Sequence, residues 1–498
     1  MEQKYNLLEQ NWIPTVDRKF ISLTEAFSDF SVSAIGGNPV EKICILKLFM
    51  AIAQRALKIK TEKELYALTN QKISEVCLEY LKEHKDSFYL YGDKPFLQIP
   101  GAKEARVKTF NEVSLEIATG NTSVVYCSQR KRQFFDKEIA LLLLTLSSFA
   151  PGGKKTDNSV VLSLGYGGKT NSKGNPASAK AGPSLGFKGY LHSFVVAKRL
   201  IDTIRLNIFS EETIMDTGLF PGGVGVPPWE ELPKGENDEI AWRLKESYMG
   251  RLVPLSRFMF LAGDGIHFTE GIAHPSIYEG KYDLSMSVDM SKKKPICLWA
   301  DPNFNHWKHF LSLFSFIEQD IEDGITCEQL KNGLKIAHQN EIKSFIWSGG
   351  LKISSKAGEQ YCSGADDYVE CVVPLNYSII TEEFYTRFKD YFEIMKKYDA
   401  KLYFCVRHYC EDLKFDYSNS CNRAKEILGN SIDESFNDLC DIIFNDDDKE
   451  FRRKVFRYVC QAYDEVCPAT TESRIISWAK NNPTITRGGD KNGRQSEA

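Results

Sequence analysis

The stretch Thr381-Glu382-Glu383-Phe384-Tyr385-Thr386-Arg387-Phe388-Lys389-Asp390-Tyr391-Phe392-Glu393-Ile394-Met395 decides how the last quarter of the chain folds. Thr381 is an N-cap residue, and two acids follow it in the first turn, where a helix leaves N–H groups unsatisfied and its dipole favours negative charge. Phe384, Phe388, Tyr391 and Met395 then recur every three or four residues, the apolar stripe of an amphipathic helix. A second stripe runs through Phe436, Leu439, Cys440, Ile443 and Phe444. The acidic break Asp446-Asp447-Asp448 starts a third, with Phe451, Val455, Val459, Ala462 and Val466. No strand pattern interrupts this part. Amphipathic helices joined by short polar turns predict a C-terminal four-helix bundle over residues 376–498, in which the polar stretch Arg487–Ala498 is a frayed tail.

Before Pro374 the pattern differs. Asn6-Leu7-Leu8 and Trp12-Ile13-Pro14 form an extended opening, with Pro14 stopping regular structure. From Pro39, the residues Ile43, Leu46, Leu48, Phe49, Ile52, Ala53 and Ala56 predict a helix, and Lys137–Ser148 predicts another, buried one. Ser159–Leu164 and Arg251–Phe260 are expected strands, and Asp264-Gly265 is a hairpin signal. Helices and strands without a βαβ rhythm give an α+β chain: a large, irregular mixed α/β body over residues 1–375, then the bundle.

The chain has 498 residues, long enough for two or three domains at about 150 residues each. Hydrophobic residues make up 42% and charged residues 26%, which excludes a mainly disordered or collagen-like chain. The longest nearly apolar run, Ile139–Ala150, is 12 residues, below the roughly 20 that span a bilayer. The start carries no secretory pattern, so a soluble, cytoplasmic protein is expected. Thirteen cysteines include no C-x-x-C, and Cys405/Cys410 and Cys460/Cys467 are the closest pairs. Zinc ligands arrive as tight pairs, so reduced, mostly buried thiols and no metal site are expected.

The net charge of −4 hides a local bias. Cys127–Leu206 holds 13 Lys or Arg against 4 Asp or Glu, a net of +9, and includes the Gly/Ser/Asn-rich segment Gly165–Gly182. Cations on a backbone with few Cβ obstructions suit contact with a polyanion. The competing reading is a solvated loop kept soluble by lysines. Ser163-Leu164-Gly165-Tyr166-Gly167-Gly168-Lys169-Thr170 imitates a phosphate-binding loop, and its alternative function would be a phosphate- or nucleotide-binding enzyme using Gly165–Thr170. That loop needs glycine where Ser163 stands and a helix after it, whereas Asn171–Pro176 opposes a helix. His306 and His309 flank Trp307 without a glutamate between them or a third ligand, so they are read as polar neighbours of a tryptophan. No G-x-S-x-G elbow occurs, and no catalytic residue is assigned.

Taken in order, several motifs resemble the large-subunit family of type I-E Cascade, the RNA-guided CRISPR surveillance complex (the Cse1/CasA family). They are Asn6-Leu7-Leu8-x-x-Asn11-Trp12-Ile13-Pro14; Tyr126-Cys127-Ser128-Gln129 with Arg130-Lys131-Arg132; Ala150-Pro151-Gly152-Gly153; Ala181-Gly182-Pro183; and the Gly349-Gly350 segment, in isolation a hairpin or exposed loop. The resemblance implies a non-catalytic recognition subunit, without cofactor, in a cytoplasmic antiviral ribonucleoprotein. It implies reading of the PAM in double-stranded DNA, help with strand separation and R-loop formation, and a docking surface for the helicase-nuclease effector. Its implied partners are the backbone, small and guide-end Cascade subunits, the CRISPR guide RNA and target DNA, with no membrane.

By the same resemblance Gly152 and Gly153 form a glycine loop, since bare backbone enters a narrow groove where a Cβ would collide. Lys154, Lys155 and Lys352 would contact phosphates or the PAM duplex, and Lys281 is the candidate for the family's separate PAM-contacting lysine. Tyr126, Ser128, Gln129, Arg130, Lys131 and Arg132 would meet the guide-RNA end and the neighbouring backbone subunit. The family's wedge glutamine falls in register with Ser354, Ser355, Lys356 or Ala357. Serine is too short for the same plug, which leaves Lys356 or neighbouring backbone. Leu261–Tyr282 holds no cysteine, so the zinc knot of some members is missing.

Overall fold

Asn38 and Glu41 each bond the other's backbone N–H at 2.9 Å, a capping box that starts helix α1 (Pro39–Leu57) with Pro39 in its first turn. The helix ends at Lys58, whose φ is +49°. Its residues from Ile43 to Gln54 are all buried, so it runs through the core. The computed structural model describes residues 4–18, 20–114, 132–149, 160, 162, 189–275, 282–290, 293–301, 325–352, 368–375 and 382–484. The chain forms two units, Met1–Asp301 with Glu322–Val372, and Pro302–Ile321 with Val373–Ala498.

In the first unit, α2 (Asn70–Glu83) and α3 (Asp136–Ser148) pack on α1. Strand β1 (His192–Ala197) leads into α4 (Leu200–Asn207). Strands β2 (Arg257–Ala262) and β3 (Gly265–Glu270) form a hairpin, edged by Val107–Thr109. Helix α5 (Glu328–Gln339) lies on β1 and α4, and β4 (Ser344–Leu351) pairs antiparallel with β1, Gly349 opposite His192. With β5 (Tyr368–Leu375) the sheet order is β5-β4-β1.

The segment Asn207-Ile208-Phe209 crosses the core, and side-chain amides satisfy its backbone. The Gln54 amide donates to Phe209 O at 2.7 Å and accepts from its N–H at 3.0 Å. Gln329 Nε2 donates to Asn207 O and Asn332 Nδ2 to Ile208 O, each at 2.8 Å, while Asn207 Nδ2 donates to Val195 O at 2.6 Å. A buried peptide group without a partner is costly, and an amide side chain offers the same donor and acceptor.

The opening of the chain is a structural anchor. Lys4–Asn6 pairs with Tyr89–Tyr91, and fully buried Trp12 donates its indole N–H to Leu7 O at 3.0 Å. Pro14, expected to stop regular structure, lies in the two-residue strand Ile13–Pro14 paired with Phe20–Ile21. Two further expectations are corrected. Arg251 belongs to the short helix Met249–Leu252 and the strand starts only at Arg257, because Pro254 lacks an N–H and Leu255 turns at φ +45°. The hairpin turn is Gly263-Asp264, one residue earlier than expected, since Ala262 pairs with Gly265 and Gly263 takes the positive φ of +56°.

The second unit contains α6 (Glu382–Asp412), α7 (Ser418–Glu434), α8 (Phe436–Phe444), α9 (Asp448–Val466) and α10 (Glu472–Asn481). The three long helices α6, α7 and α9 pack on one another, α8 rests on α6 and α9, and α10 rests on α6. Phe384, Phe388, Tyr391 and Met395 are buried, and Tyr391 meets Phe451 edge-on at 4.7 Å. Asp447 caps α9 by accepting the Glu450 N–H at 3.0 Å. Thus the expected α+β body and helical C-terminal part both form. Among the described residues no helix is long and apolar enough to cross a membrane.

Candidate nucleic-acid interface

Strand β4 ends in Gly349-Gly350-Leu351, and Lys352 follows it. The two glycines are buried in the strand and do not form the exposed loop their composition suggests. A Cβ on Gly349 would lie 2.7 Å from the Trp347 ring and 2.9 Å from Val369 O; one on Gly350 would lie 2.6 Å from Tyr190 O. Close approach of neighbouring backbone explains both residues. Two positions on, Lys352 is exposed.

Behind this strand end lies a buried polar chain. Ser348 and Ser193 hydroxyls meet at 2.7 Å, next to the His192–Gly349 pair. His192 Nδ1 meets Ser285 Oγ at 2.8 Å, and that hydroxyl and the Ser285 N–H both donate to Asp283 Oδ1, at 2.9 and 3.0 Å. Asp283 Oδ2 accepts from Lys47 Nζ of α1, which also donates to Arg251 O at 3.0 Å. Burial alone would raise the Asp283 carboxyl, but the Lys47 ammonium, His192 and the Ser285 N–H together hold it below the ordinary carboxylate range. The sequence reading missed this chain. Its one visible sign was a lysine inside the apolar run of α1.

Helix α3 supplies another fixed edge. Ser147 O accepts the Ser256 N–H and Thr145 O the Phe149 N–H, both at 2.7 Å, so the chain leaves towards Ala150 from a rigid point. At the other end Glu138 caps α3 through the Phe135 N–H at 3.0 Å and pairs with Arg132. Arg132 is exposed and also covers the Phe134 ring at 5.2 Å.

Arg132 and Lys352 are thus the expected site residues that the structure locates, on separate elements. Gly152, Gly153, Lys154, Lys155, Lys281, Ser354, Ser355, Lys356, Ala357, Tyr126, Ser128, Gln129, Arg130 and Lys131 lie outside the described residues. So do the Gly165–Thr170 loop, His306 and His309, and most of the expected strand Ser159–Leu164. Among the described residues no group of His, Cys, Asp or Glu could hold a metal ion. Eleven described cysteines are free, nine of them buried. Burial pushes the Cys44, Cys297 and Cys327 thiols up to about 12, the state of inert core thiols.

The profile of CRISPR-associated protein Cse1 matches residues 6–463. The chain belongs to the Cse1 family. The resemblance to the type I-E Cascade large subunit, carried above by a few short motifs, therefore extends over nearly the whole chain. Its fold is similar to Thermobifida fusca Cse1, at 16% identity and TM-score 0.70, with 96% of each chain covered. It is likewise similar to Thermus thermophilus CasA (Cse1), at 16% identity and TM-score 0.67, covering 96% of this chain and 98% of that one. A chain of a CRISPR RNA-guided surveillance complex matches at 13% identity and TM-score 0.63, covering 96% and 99%. No curated protein sequence matches. In this Cse1-family fold the Gly349-Gly350 pair singled out from sequence lies near the end of strand β4.

Proposed function

We propose that this chain is the non-catalytic large subunit of an RNA-guided type I-E surveillance complex in the cytoplasm. In this reading it recognises the PAM in double-stranded DNA, assists strand separation and R-loop formation, and offers a docking surface to the helicase-nuclease. Its partners are the other Cascade subunits, guide RNA and target DNA. The match to Cse1 over residues 6–463 is the observation that carries the reading. The packed Gly349-Gly350 strand end supports it, because a firmly held base is what an element pressed against DNA requires.

The division of labour follows from chemistry. Gly152 and Gly153 admit the backbone to the groove, Lys154 and Lys155 hold phosphates, and Lys281 and Lys352 add contacts to the PAM duplex. The segment Ser354–Ala357 intrudes at the first base pair, where unstacking costs a few kcal/mol. The Tyr126–Arg132 loop, with Ser128, Gln129, Arg130 and Lys131, meets the guide-RNA end. Sequence itself is read by RNA pairing.

The test uses the assembled complex and PAM-bearing duplexes. Lys154→Glu with Lys155→Glu should weaken binding uniformly across sequences and flatten its salt dependence, by about 0.9 in log–log slope for each phosphate no longer neutralised. Equal binding by parent and variant at low and moderate salt would remove the assignment. Lys356→Ala should slow strand opening, read by a fluorescent base beside the PAM, more than it weakens duplex binding.

A further inference from the structure

The run Pro221-Gly222-Gly223-Val224-Gly225-Val226-Pro227 belongs to none of the motifs above. Its residues Gly222 to Val226 line a recess of about 350 Å³ in the first unit. Arg55 and Lys58 at the end of α1 form another wall, and Glu211 and Met215 of the short helix Glu211–Asp216 a third. Glycine is required twice in the run, because Gly223 and Gly225 turn at φ +62° and +82°. The carbonyls of Gly223 and Val224 accept from the N–H groups of Tyr248 and Met249, at 2.9 and 2.8 Å. Across a planar trans peptide the N–H points opposite to the carbonyl. The Val224 and Gly225 N–H groups therefore turn away from Tyr248 and Met249, neither of which lines the recess. Among the described residues no group accepts from either N–H.

The charge left over at the recess is that of one lysine. Glu230 holds Arg55 through two hydrogen bonds of 2.9 and 2.8 Å, and Lys60 holds Glu211 at 2.6 Å, so both pairs are neutral. Lys58 is exposed and has no acidic partner among the described residues. An ammonium and two successive backbone N–H groups are three donors for an anion. A phosphate monoester offers them three terminal oxygens, where a carboxylate has two. Met215, 52% exposed, supplies an apolar side for an organic body. We propose that this recess binds an organic phosphate monoester of mononucleotide size, its phosphate on Lys58 and the Val224 and Gly225 N–H groups and its organic part against Met215. A free mononucleotide and the phosphorylated end of a strand present the same chemistry. None of these residues takes part in the DNA recognition proposed above, so the two readings stand or fall separately.

Isothermal titration calorimetry of the full chain with adenosine 5′-monophosphate (AMP) and with adenosine tests the site. AMP should bind, and adenosine, which lacks the phosphate, should bind at least about ten-fold more weakly. Lys58→Asn removes the charge at an exposed position of φ +49°, which asparagine tolerates, so the fold is retained. It should weaken AMP about ten-fold and leave adenosine unchanged, while Lys58→Arg should keep most of the AMP affinity. Absence of AMP binding, equal affinity for AMP and adenosine, or an AMP affinity untouched by Lys58→Asn would each overturn the inference. Displacement of AMP by a 5′-phosphorylated oligothymidylate would identify a strand end as an accepted source, and failure to displace it would identify the free nucleotide. PAM-duplex binding by the assembled complex should be the same for parent and Lys58→Asn; a parallel loss there would assign Lys58 to the duplex path and overturn the separate site.

Discussion

Lys47 and Asp283 are both fully buried, 236 residues apart in sequence, and joined directly. Two charges taken out of water repay their desolvation only through good geometry and additional hydrogen bonds, which Ser285 and Arg251 O supply here. Removing one partner leaves the other charge stranded, so Asp283→Asn should lower the free energy of unfolding by about 3–5 kcal/mol in urea titration. Lys47→Met together with Asp283→Leu should recover only part of that loss, because the buried Arg251 guanidinium also draws on the Asp283 charge. The pH dependence has a definite sign. Because the folded Asp283 carboxyl is held below its ordinary value, its contribution is fully present above the unfolded pKa of about 3.9 and disappears as pH falls through the folded value. The apolar double variant should therefore lose less stability than the parent between about pH 5 and pH 2, measured by urea midpoints. Sequence showed Lys47 as a lone charge in an apolar run but could not name a partner so distant. Such pairing is a product of tertiary packing, not of local pattern.

Among elements, helices were the most legible, because caps and 3.6-residue periodicity are local. The stripe from Phe384 to Met395 lies in α6, which runs on to Asp412, and the Asp446–Asp448 break starts α9 at Asp448. Glycine misled where it served packing. Gly349-Gly350 reads as a loop by composition, yet it lies in a paired strand, and glycine is needed there because Tyr190 O and the Trp347 ring leave no room for a side chain. Gly333 in α5 is a similar case, since a Cβ there would lie 2.7 Å from Leu206 O and from Val195 Cγ2. Gly333→Ala gains up to about 1 kcal/mol in helix propensity, but the neighbouring backbone cannot yield easily. Overpacking should win, destabilising the chain by about 1–3 kcal/mol in thermal or chemical unfolding. At α9, Asp447→Ala removes an N-cap and should cost about 1 kcal/mol, with Asp447→Asn restoring most of it.

For the whole chain, the order and spacing of weak motifs pointed to the family, although each alone was compatible with an ordinary turn. The candidate site was less legible, because glycines and lysines acquire a role only against a nucleic acid that the chain does not encode. The cysteines allow a global check. In denaturant without reductant all 13 should titrate as thiols, whereas the native chain should react slowly, since nine of the eleven described ones are buried. Fewer than 13 thiols after unfolding would contradict a reduced protein. The buried Lys47–Asp283 bridge also has a consequence for ancestry. Neither residue can be exchanged by itself without passing through a poorly folded intermediate. Divergent relatives should therefore retain both ions or replace both with greasy side chains, and the two positions should change in concert across the lineage.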